Sequence, residues 1–339
     1  MRTCVLLCSL FLTATRAFAQ MPPVGRIEVF GHPESVERVR AIVADLQGRE
    51  LSAEIRDRER LIAESSGVAE ATIEAVCCDG GVTTLYVGVR GEGDSAPRFN
   101  ASPEGAARLP GSLVALGERF DRALADAVRR GMVGDDMSAG HSMLADSGAR
   151  AVQEEFIEAA SAHVPRLREV LATSGDPGHR ALAGQILAYA ADKRAIAPDL
   201  VAAVRDPDPA VRNVAMRALW IIASYASAHP DLRVEIAPDP FVDLLHSIVW
   251  TDRNKASLVL MELSAARDRA LLETLRARAF EPLLAMARWE NPGHALPGLV
   301  LLGRVAGLSE EAIFAAVSEG RHQTIIEAAL RLAPRPDRR

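Results

Sequence analysis

A helical unit that recurs along the second half of the chain constrains the fold most. The stretch DPDPAVRNVAMRAL, residues 206–219, places two Asp-Pro pairs directly before an amphipathic helix. The stretch DPGHRALAGQIL, residues 176–187, has the same form, and its Arg180 lies 32 residues before Arg212. Looser copies begin at two later positions, Asp252 and Asn291. Such a period predicts a repeat protein in which each unit needs its neighbours to bury its apolar face.

A proline before each copy is a second, independent marker of the repeat. The four prolines are spaced 33, 42 and 42 residues apart, and each has an apolar residue two positions later. These pairs are Pro165 with Leu167, Pro198 with Leu200, Pro240 with Val242, and Pro282 with Leu284. The two markers together predict two helices per repeat.

The second helix of the clearest copy has a defined start and a buried face in this prediction. Asp206 or Asp208 is expected to cap it, and Pro209 suits its first turn. Its helical spacing predicts one buried stripe, formed by Val211, Val214, Ala215, Ala218 and Leu219. Arg180 and Arg212 are expected to pair with turn acids and to link neighbouring repeats.

The order of proline, aspartate and Val-Arg in these units resembles HEAT and armadillo-type repeats, including the HEAT-like repeats of bilin lyases. The resemblance covers about residues 151–306 and is clearest at residues 206–219. It implies an α-helical solenoid of HEAT-like α-α repeats. We expect this domain to span residues 113–335 and to end in two shorter helices after Ser309, which suit a polar terminal cap.

The amino-terminal residues follow a different pattern and predict a small α+β domain at residues 25–91. RIEVF alternates as a strand, two helical segments follow, and two further strands flank the hairpin sequence Asp79-Gly80-Gly81. The resulting β-α-α-β-β order resembles a POTRA domain of bacterial envelope proteins. That resemblance implies a module that docks other chains, often by pairing an extended segment with a sheet edge. Residues 92–112, rich in Pro and Gly, are predicted as a linker.

The first residues predict export from a bacterial cell. Residues 1–19 combine Arg2, an apolar stretch and a small-residue cleavage site, which is the pattern of a signal peptide. Their removal takes away Arg2, Arg16 and no acidic residue, so the formal charge changes from -6 to -8. An acidic chain is a poor partner for nucleic acid, and no apolar stretch is long enough for a membrane-spanning helix. A periplasmic or secreted protein is expected.

Removal of the signal peptide leaves Cys77 and Cys78, which are adjacent, so no disulfide framework is expected. Two readings stay open for them. Successive side chains on a strand face opposite ways, which favours one buried and one exposed thiol, whereas an oxidising compartment favours a vicinal disulfide.

The strongest catalytic candidate is the sequence Gly140-His141-Ser142, which opens the nucleophile elbow of serine hydrolases. Its context argues against an elbow, because Leu144 stands where the second glycine belongs and a polar loop precedes it. Asp135, Asp136 and His141 are a weak candidate for a divalent metal site, and no metal or other cofactor is predicted. His179 and His294 recur in Pro-Gly-His turns, where a capping role is expected.

Partner contact is the function that the repeats favour. Asn213, Arg217 and Trp220 share one side of the second helix in the clearest repeat, which lines the concave surface of a HEAT-like solenoid. Arg and Trp are common interface anchors, so these residues are the predicted contacts for a protein or peptide partner in the cell envelope. Trp250, Arg253 and Asn254 follow as further contacts. For Trp220 the alternative is packing against the neighbouring repeat. The alternative is an enzyme, either a serine hydrolase around His141 and Ser142 or, from the resemblance of the repeats, a lyase acting on a bound chromophore.

Overall fold

The computed structural model describes residues 21–51, 55–65, 67–79 and 81–333. The described residues form two compact units. Unit 1 comprises residues 98–240, and unit 2 combines the residues up to Pro97 with those from Phe241 onward. The predicted α+β domain therefore shares a unit with the later repeat helices. The predicted signal peptide, residues 1–19, lies outside the described residues.

The amino-terminal part of unit 2 is a three-stranded sheet with two helices. Its elements are β1 (Val24–Gly31), α1 (Val36–Val43), α2 (Ile55–Ala63), β2 (Val68–Asp79) and β3 (Val82–Gly91). β3 is the central strand, parallel to β1 and antiparallel to β2, and Val87 lies opposite both Val29 and Ile73. Apolar residues of the helices and the sheet form one core, which includes Val39, Val43, Ile62, Leu85 and Val89. A small strand-containing domain is thus present in the predicted β-α-α-β-β order.

Unit 1 is mostly helical. Its helices are α3 (Gly111–Arg129), α4 (Ser147–Thr173), α5 (Pro177–Leu187), α6 (Lys193–Ala203) and α7 (Pro209–Ala228). α4 is interrupted at His163, whose φ of -128° is not helical, two residues before Pro165. A proline inside a helix removes one backbone hydrogen bond and clashes with the preceding turn, which explains the kink. Pro165 is the first of the four proline markers of the repeat. Two short strands, β4 (Asp135–Asp136) and β5 (Met143–Leu144), pair between α3 and α4.

The carboxyl-terminal half continues as helices. They are α8 (Asp239–Leu244), α9 (Trp250–Leu263), α10 (Arg269–Arg278), α11 (Phe280–Ala287), α12 (Pro292–Val305), α13 (Glu310–Ser318) and α14 (His322–Leu330). The last two are the pair of shorter helices predicted after Ser309, whose hydroxyl caps α13. None of the helices in the described ranges is long and apolar enough to cross a membrane.

Helix caps fall mostly where the repeated turn sequence predicts them. Asp176 caps α5, Asp208 caps α7 and Asn291 caps α12, each accepting backbone N–H groups of the first turn. The copy at Asp252 departs from this pattern, because α9 already begins at Trp250 and Asp252 lies inside its first turn. There Asp252 accepts a hydrogen bond from the hydroxyl of Ser247 at 2.7 Å.

The apolar residues that follow the four prolines are all buried, as the repeat markers predict. They are Leu167, Leu200, Val242 and Leu284. In the predicted stripe of α7, Val211, Ala215, Ala218 and Leu219 are buried, whereas Val214 is half-buried. A helical fold with HEAT-like repeats, preceded by a small strand-containing domain, follows from these elements.

In unit 2 the sheet and the repeat helices pack directly on each other. The ring of Tyr86 in β3 stacks on Trp250 with centroids 4.7 Å apart, and its hydroxyl lies 2.5 Å from His294 Nδ1. A Cβ atom on Gly88 would lie 1.8 Å from the carbonyl oxygen of Ile248. Glycine at this position of β3 therefore permits a backbone approach that no other residue allows.

Candidate functional site

Three repeats carry a buried arginine at the same position, the fourth residue of the second helix. Each guanidinium group donates a hydrogen bond to a carbonyl oxygen six residues earlier in its own turn. The pairs are Arg180 with Ser174 at 2.8 Å, Arg212 with Asp206 at 2.9 Å, and Arg253 with Ser247 at 2.6 Å. Carbonyl groups at the end of a helix lack intrahelical partners, and these arginines supply donors to them. The turns of the three repeats are closed in the same way.

Arg180 also links one repeat to the next. Its Nε and Nη2 atoms donate to the two carboxylate oxygens of Asp206, both at 2.8 Å, and both side chains are buried. This forked geometry is the strongest form of an arginine–carboxylate pair. The predicted link between repeats is confirmed for Arg180. Arg212 donates to carbonyl oxygens of its own turn, those of Asp206 and Pro207.

An aromatic ring lies over two of these guanidinium groups. In unit 1 the guanidinium carbon of Arg212 is 4.1 Å from the ring centroid of Phe99. In unit 2 that of Arg253 is 4.6 Å from the ring centroid of Phe30. A planar guanidinium held by hydrogen bonds at its edge leaves its face available for stacking. The repeats thus present a rigid, cationic platform that takes an aromatic side chain.

The segment that provides Phe99 lies in the predicted linker, and it is ordered against unit 1. Residues 98–109, the strap from here on, have no helix and run across two turns of the repeats. The amide of Asn100 donates to the carbonyl oxygen of Arg205 at 2.8 Å, after α6. Further along, Gly105 accepts from the amide of Gly175 at 2.8 Å, after α4. The strap therefore passes from one repeat turn to the turn before it.

A polar cluster in unit 1 contains the candidate nucleophile Ser142. Its hydroxyl lies 2.8 and 2.9 Å from the two carboxylate oxygens of Asp135, whose side chain has no exposed surface. Arg217 pairs with the same carboxylate at 2.5 Å, and the side-chain amide of Gln153 donates to the carbonyl oxygen of Ser142 at 3.0 Å. The hydroxyl proton of Ser142 is thus committed to Asp135, and these groups tie the β4–β5 loop to α4 and α7.

His141 does not act on Ser142 in this arrangement. Its Nδ1 atom lies 3.4 Å from the ammonium group of Lys193, which also donates to the carbonyl oxygens of Ala188 and Ala190, both at 2.8 Å. Burial and the charge of Lys193 lower the pKa of His141 to about 4, and burial lowers the pKa of Lys193 to about 8. The imidazole is neutral at neutral pH and faces a lysine, so no serine–histidine pair is assembled at this site.

The six predicted contact residues divide between exposure and burial. In α7, Asn213 and Arg217 are half-buried, whereas Trp220 is only 3% exposed. In α9, Trp250, Arg253 and Asn254 are all buried, and Trp250 and Arg253 meet Tyr86 and Phe30 of the sheet in unit 2. Partner contact by these residues stays a prediction. In the structure Arg253 donates to the carbonyl oxygen of Ser247, as Arg180 and Arg212 do to carbonyl oxygens of their own turns.

Unit 2 holds a half-buried carboxylate where the sheet meets α9. Glu74 of β2 accepts the hydroxyl of Thr251 at 2.5 Å, and the backbone amide of Thr251 lies 3.4 Å from both of its oxygens. Burial, together with the negative charge of Asp252, raises the pKa of Glu74 to about 7, although the hydrogen bonds from Thr251 oppose the shift.

The remaining candidates are the metal-ligating side chains as well as His179 and Cys77. Among the described residues no group of three or more His, Cys, Asp and Glu side chains is arranged to hold a metal ion. His179 accepts the backbone amide of Leu109 from the strap at 3.0 Å. Cys77 is in a disulfide bond, so the reading of Cys77 as a free thiol is wrong.

The sequence did not reveal two important contacts, that of Phe99 with Arg212 and that of Asp135 with Arg217. Phe99 lies in a segment whose composition indicates only a linker, and Asp135 has no pattern that connects it to Arg217, 82 residues away. Arg253 did have a usable pattern, because it follows the start of its helix by the same distance as Arg180 and Arg212. The displaced Asp252 in the looser copy obscured that alignment.

The repeats of this chain are similar to those of known repeat proteins. Residues 164–243, which include α5, α6 and α7, match the model of the HEAT repeats family. No curated protein matches the sequence. Among solved structures, a designed armadillo repeat protein is similar, with 14% sequence identity, a TM-score of 0.34, and coverage of 55% of this chain and 94% of that chain. The resemblance of the amino-terminal domain to POTRA domains stays a prediction. Residues 164–243 are similar to HEAT repeats, and the predicted HEAT-like repeat fold is confirmed.

Proposed function

We propose that this protein is an exported scaffold whose HEAT-like repeats bind a protein or peptide partner. The observation that carries the proposal is the strap, because there the repeats already hold an extended stretch of polypeptide. The backbone of the strap forms hydrogen bonds with the backbone of the repeat turns at Asn100 and Gly105. The ring of Phe99 adds a side-chain contact with Arg212. Repeats that recognise an extended chain within the molecule have the chemistry to recognise one from a partner.

The proposed partner surface is the accessible part of α7. Asn213 and Arg217 are the predicted contacts that keep exposed area, with 23% of the Arg217 side chain exposed. The carboxylate of Asp135 holds the Arg217 guanidinium in place, so little side-chain entropy remains to be lost on binding. Pre-positioned arginines are favourable anchors in protein interfaces.

Export is part of the proposal and rests on residues 1–19 together with Cys77. The disulfide bond of Cys77 supports it, because disulfides persist in oxidising compartments such as the periplasm. A fusion of residues 1–30 to a phosphatase that folds only outside the cytoplasm tests this point. Activity is expected, and deletion of residues 4–15 is expected to abolish it.

The binding surface is tested by chemical crosslinking of the mature protein in native envelope extract, followed by mass spectrometry. The test variant is Asp135→Asn with Arg217→Gln, which removes both charges while keeping hydrogen-bonding groups. The matched control is Arg119→Gln with Glu155→Gln, another arginine–carboxylate pair of unit 1, which is exposed. Thermal melting checks that both variants fold.

A partner lost from the Asp135/Arg217 variant and retained by the control would support the α7 surface. Equal capture by both variants would reject it. Should the double variant fail to fold, Asn213→Arg places a bulky charge on the same surface and leaves the ion pair intact.

A further inference from the structure

The strap contains two parts that are held differently. Its later part is fixed by several groups: Arg166 donates to the carbonyl oxygen of Arg108 through Nε at 3.0 Å and Nη2 at 2.6 Å, and Leu109 is buried. In its earlier part, residues 98–104, the described main chain is held by the hydrogen bond from the amide of Asn100 to the carbonyl oxygen of Arg205. The later part is therefore an anchor, and the earlier part is held by fewer interactions.

Phe99 provides the main side-chain contact of the earlier part and is itself 40% exposed. The platform beneath it does not depend on Phe99, because the guanidinium of Arg212 is fixed by the carbonyl oxygens of Asp206 and Pro207, both at 2.9 Å. A cationic plane that is already oriented binds an aromatic ring with little loss of conformational entropy. Any aromatic side chain delivered in an extended segment fits this contact.

The groove under residues 98–104 is incompletely filled. A cavity of about 220 Å³ lies between the strap and the repeats. Asn100, Ala101 and Pro103 line it from the strap, and Arg168, Asp199 and Asp206 are among the groups on the repeat side. Arg168 and Asp199 pair at 2.8 Å, so their charges are already balanced. The groove therefore has room for a side chain larger than the methyl group of Ala101 without exposing an unpaired charge.

We propose that this groove binds an extended segment of a partner protein that carries an aromatic side chain, and that residues 98–104 occupy it as an internal ligand. The aromatic ring takes the place of Phe99 on Arg212, and a neighbouring apolar side chain fills the cavity beside Ala101. The anchor at residues 105–109 stays bound while the earlier part exchanges. This proposal rests on the scaffold function, and it adds a second contact surface to the one on α7.

A peptide supplied in trans tests the exchange directly. The probe is a fluorescently labelled peptide of residues 98–104, RFNASPE, and the protein is the full mature chain, either unchanged or with Phe99→Ala. Fluorescence polarisation measures the dissociation constant. In the unchanged protein the tethered strap competes at a high effective concentration, so the probe binds weakly. With Phe99→Ala the competitor is weakened, and the probe is expected to bind at least about tenfold more tightly.

Two matched peptides make the test specific. A probe with Phe99→Ala is expected to bind the Phe99→Ala protein at least about tenfold more weakly than the original probe, because the contact with Arg212 is lost. A probe with Ala101→Leu is expected to bind more tightly, because it fills the cavity. Equal binding of the peptides with and without Phe99, or no gain from Phe99→Ala in the protein, would overturn the proposal.

A second protein variant guards against misfolding of the first. Asn100→Pro removes the amide that donates to Arg205 and keeps Phe99 in place, so it too is expected to loosen the strap. Loss of the partner from the Asp135/Arg217 variant, combined with failure of every peptide experiment, would reject the groove alone. Peptide binding as expected, with partner capture unaffected by changes on α7, would reject the α7 surface and retain the groove.

Discussion

Arg180 donates two parallel hydrogen bonds, each 2.8 Å long, to the carboxylate of Asp206 in the turn of the following repeat. Both side chains are almost fully buried. Asp206 also accepts the backbone amide of Asp208 at 2.8 Å, so one carboxylate organises its own turn and receives the neighbouring repeat. Because each repeat of a solenoid contacts only its neighbours, such a pair contributes directly to the coupling between adjacent repeats.

Arg180→Ala is expected to lower the free energy of unfolding by about 3–5 kcal/mol, because it leaves the carboxylate of Asp206 buried without its partner. Urea denaturation measures the loss. The double change Arg180→Met with Asp206→Asn is expected to cost clearly less, since no charge is left buried and an oxygen still accepts the amide of Asp208. Arg119→Ala breaks an exposed pair and is expected to cost at most about 1 kcal/mol. Equal losses for Arg180→Ala and Arg119→Ala would contradict the argument.

Stability is expected to depend on pH through Glu74. Its pKa rises from 4.5 in the unfolded chain to about 7 in the folded protein, so the folded state binds the proton more tightly. The fold therefore has its full stability with respect to this group below about pH 4.5 and loses it as pH rises through about 7. The loss is at most about 3 kcal/mol.

Melting temperatures of the unchanged protein and of Glu74→Gln, measured from about pH 5 to about pH 8, test this dependence. The unchanged protein is expected to lose stability relative to Glu74→Gln as pH rises. Glu37→Gln is the control, because the side chain of Glu37 is 84% exposed. Parallel curves for the unchanged protein and Glu74→Gln would show that Glu74 titrates normally in the folded state.

Ser142 is expected to remain unlabelled by fluorophosphonate probes of serine hydrolases. Its hydroxyl donates to Asp135, and His141 lies against Lys193 instead of acting as a base. Mass spectrometry of the probe-treated protein identifies any labelled serine, and a known serine hydrolase in the same tube serves as the positive control. Labelling of Ser142 that disappears after denaturation would restore the hydrolase alternative.

Amide hydrogen exchange is expected to be faster in the earlier part of the strap than at the anchor. The amide of Asn100, bonded to Arg205, should exchange at least about tenfold faster than the amide of Gly175, which is bonded to Gly105. The reason is that the earlier part is held by fewer contacts than the anchor. Residue-resolved exchange by NMR measures both amides in one sample. Similar protection of the two would mean that the strap opens as one piece.

The sequence by itself determined the elements that depend on neighbouring residues. Helix caps at Asp176, Asp208 and Asn291 follow from the local rule that a side-chain oxygen satisfies the first free N–H groups. The buried stripe of α7 follows from helical spacing, and the family match at residues 164–243 follows from the repeated period. The β-α-α-β-β order was likewise readable from a change in hydrophobic period.

Only the tertiary structure decided which side chains meet across long separations. Trp250 and Arg253, predicted as further partner contacts, are buried because the sheet in unit 2 brings Tyr86 and Phe30 onto them. Phe99 gained its role because an extended segment, whose composition carries no periodic pattern, crosses the turn that holds Arg212. Periodicity records which face of a helix is apolar, whereas the partner of that face is set by how the chain returns to it.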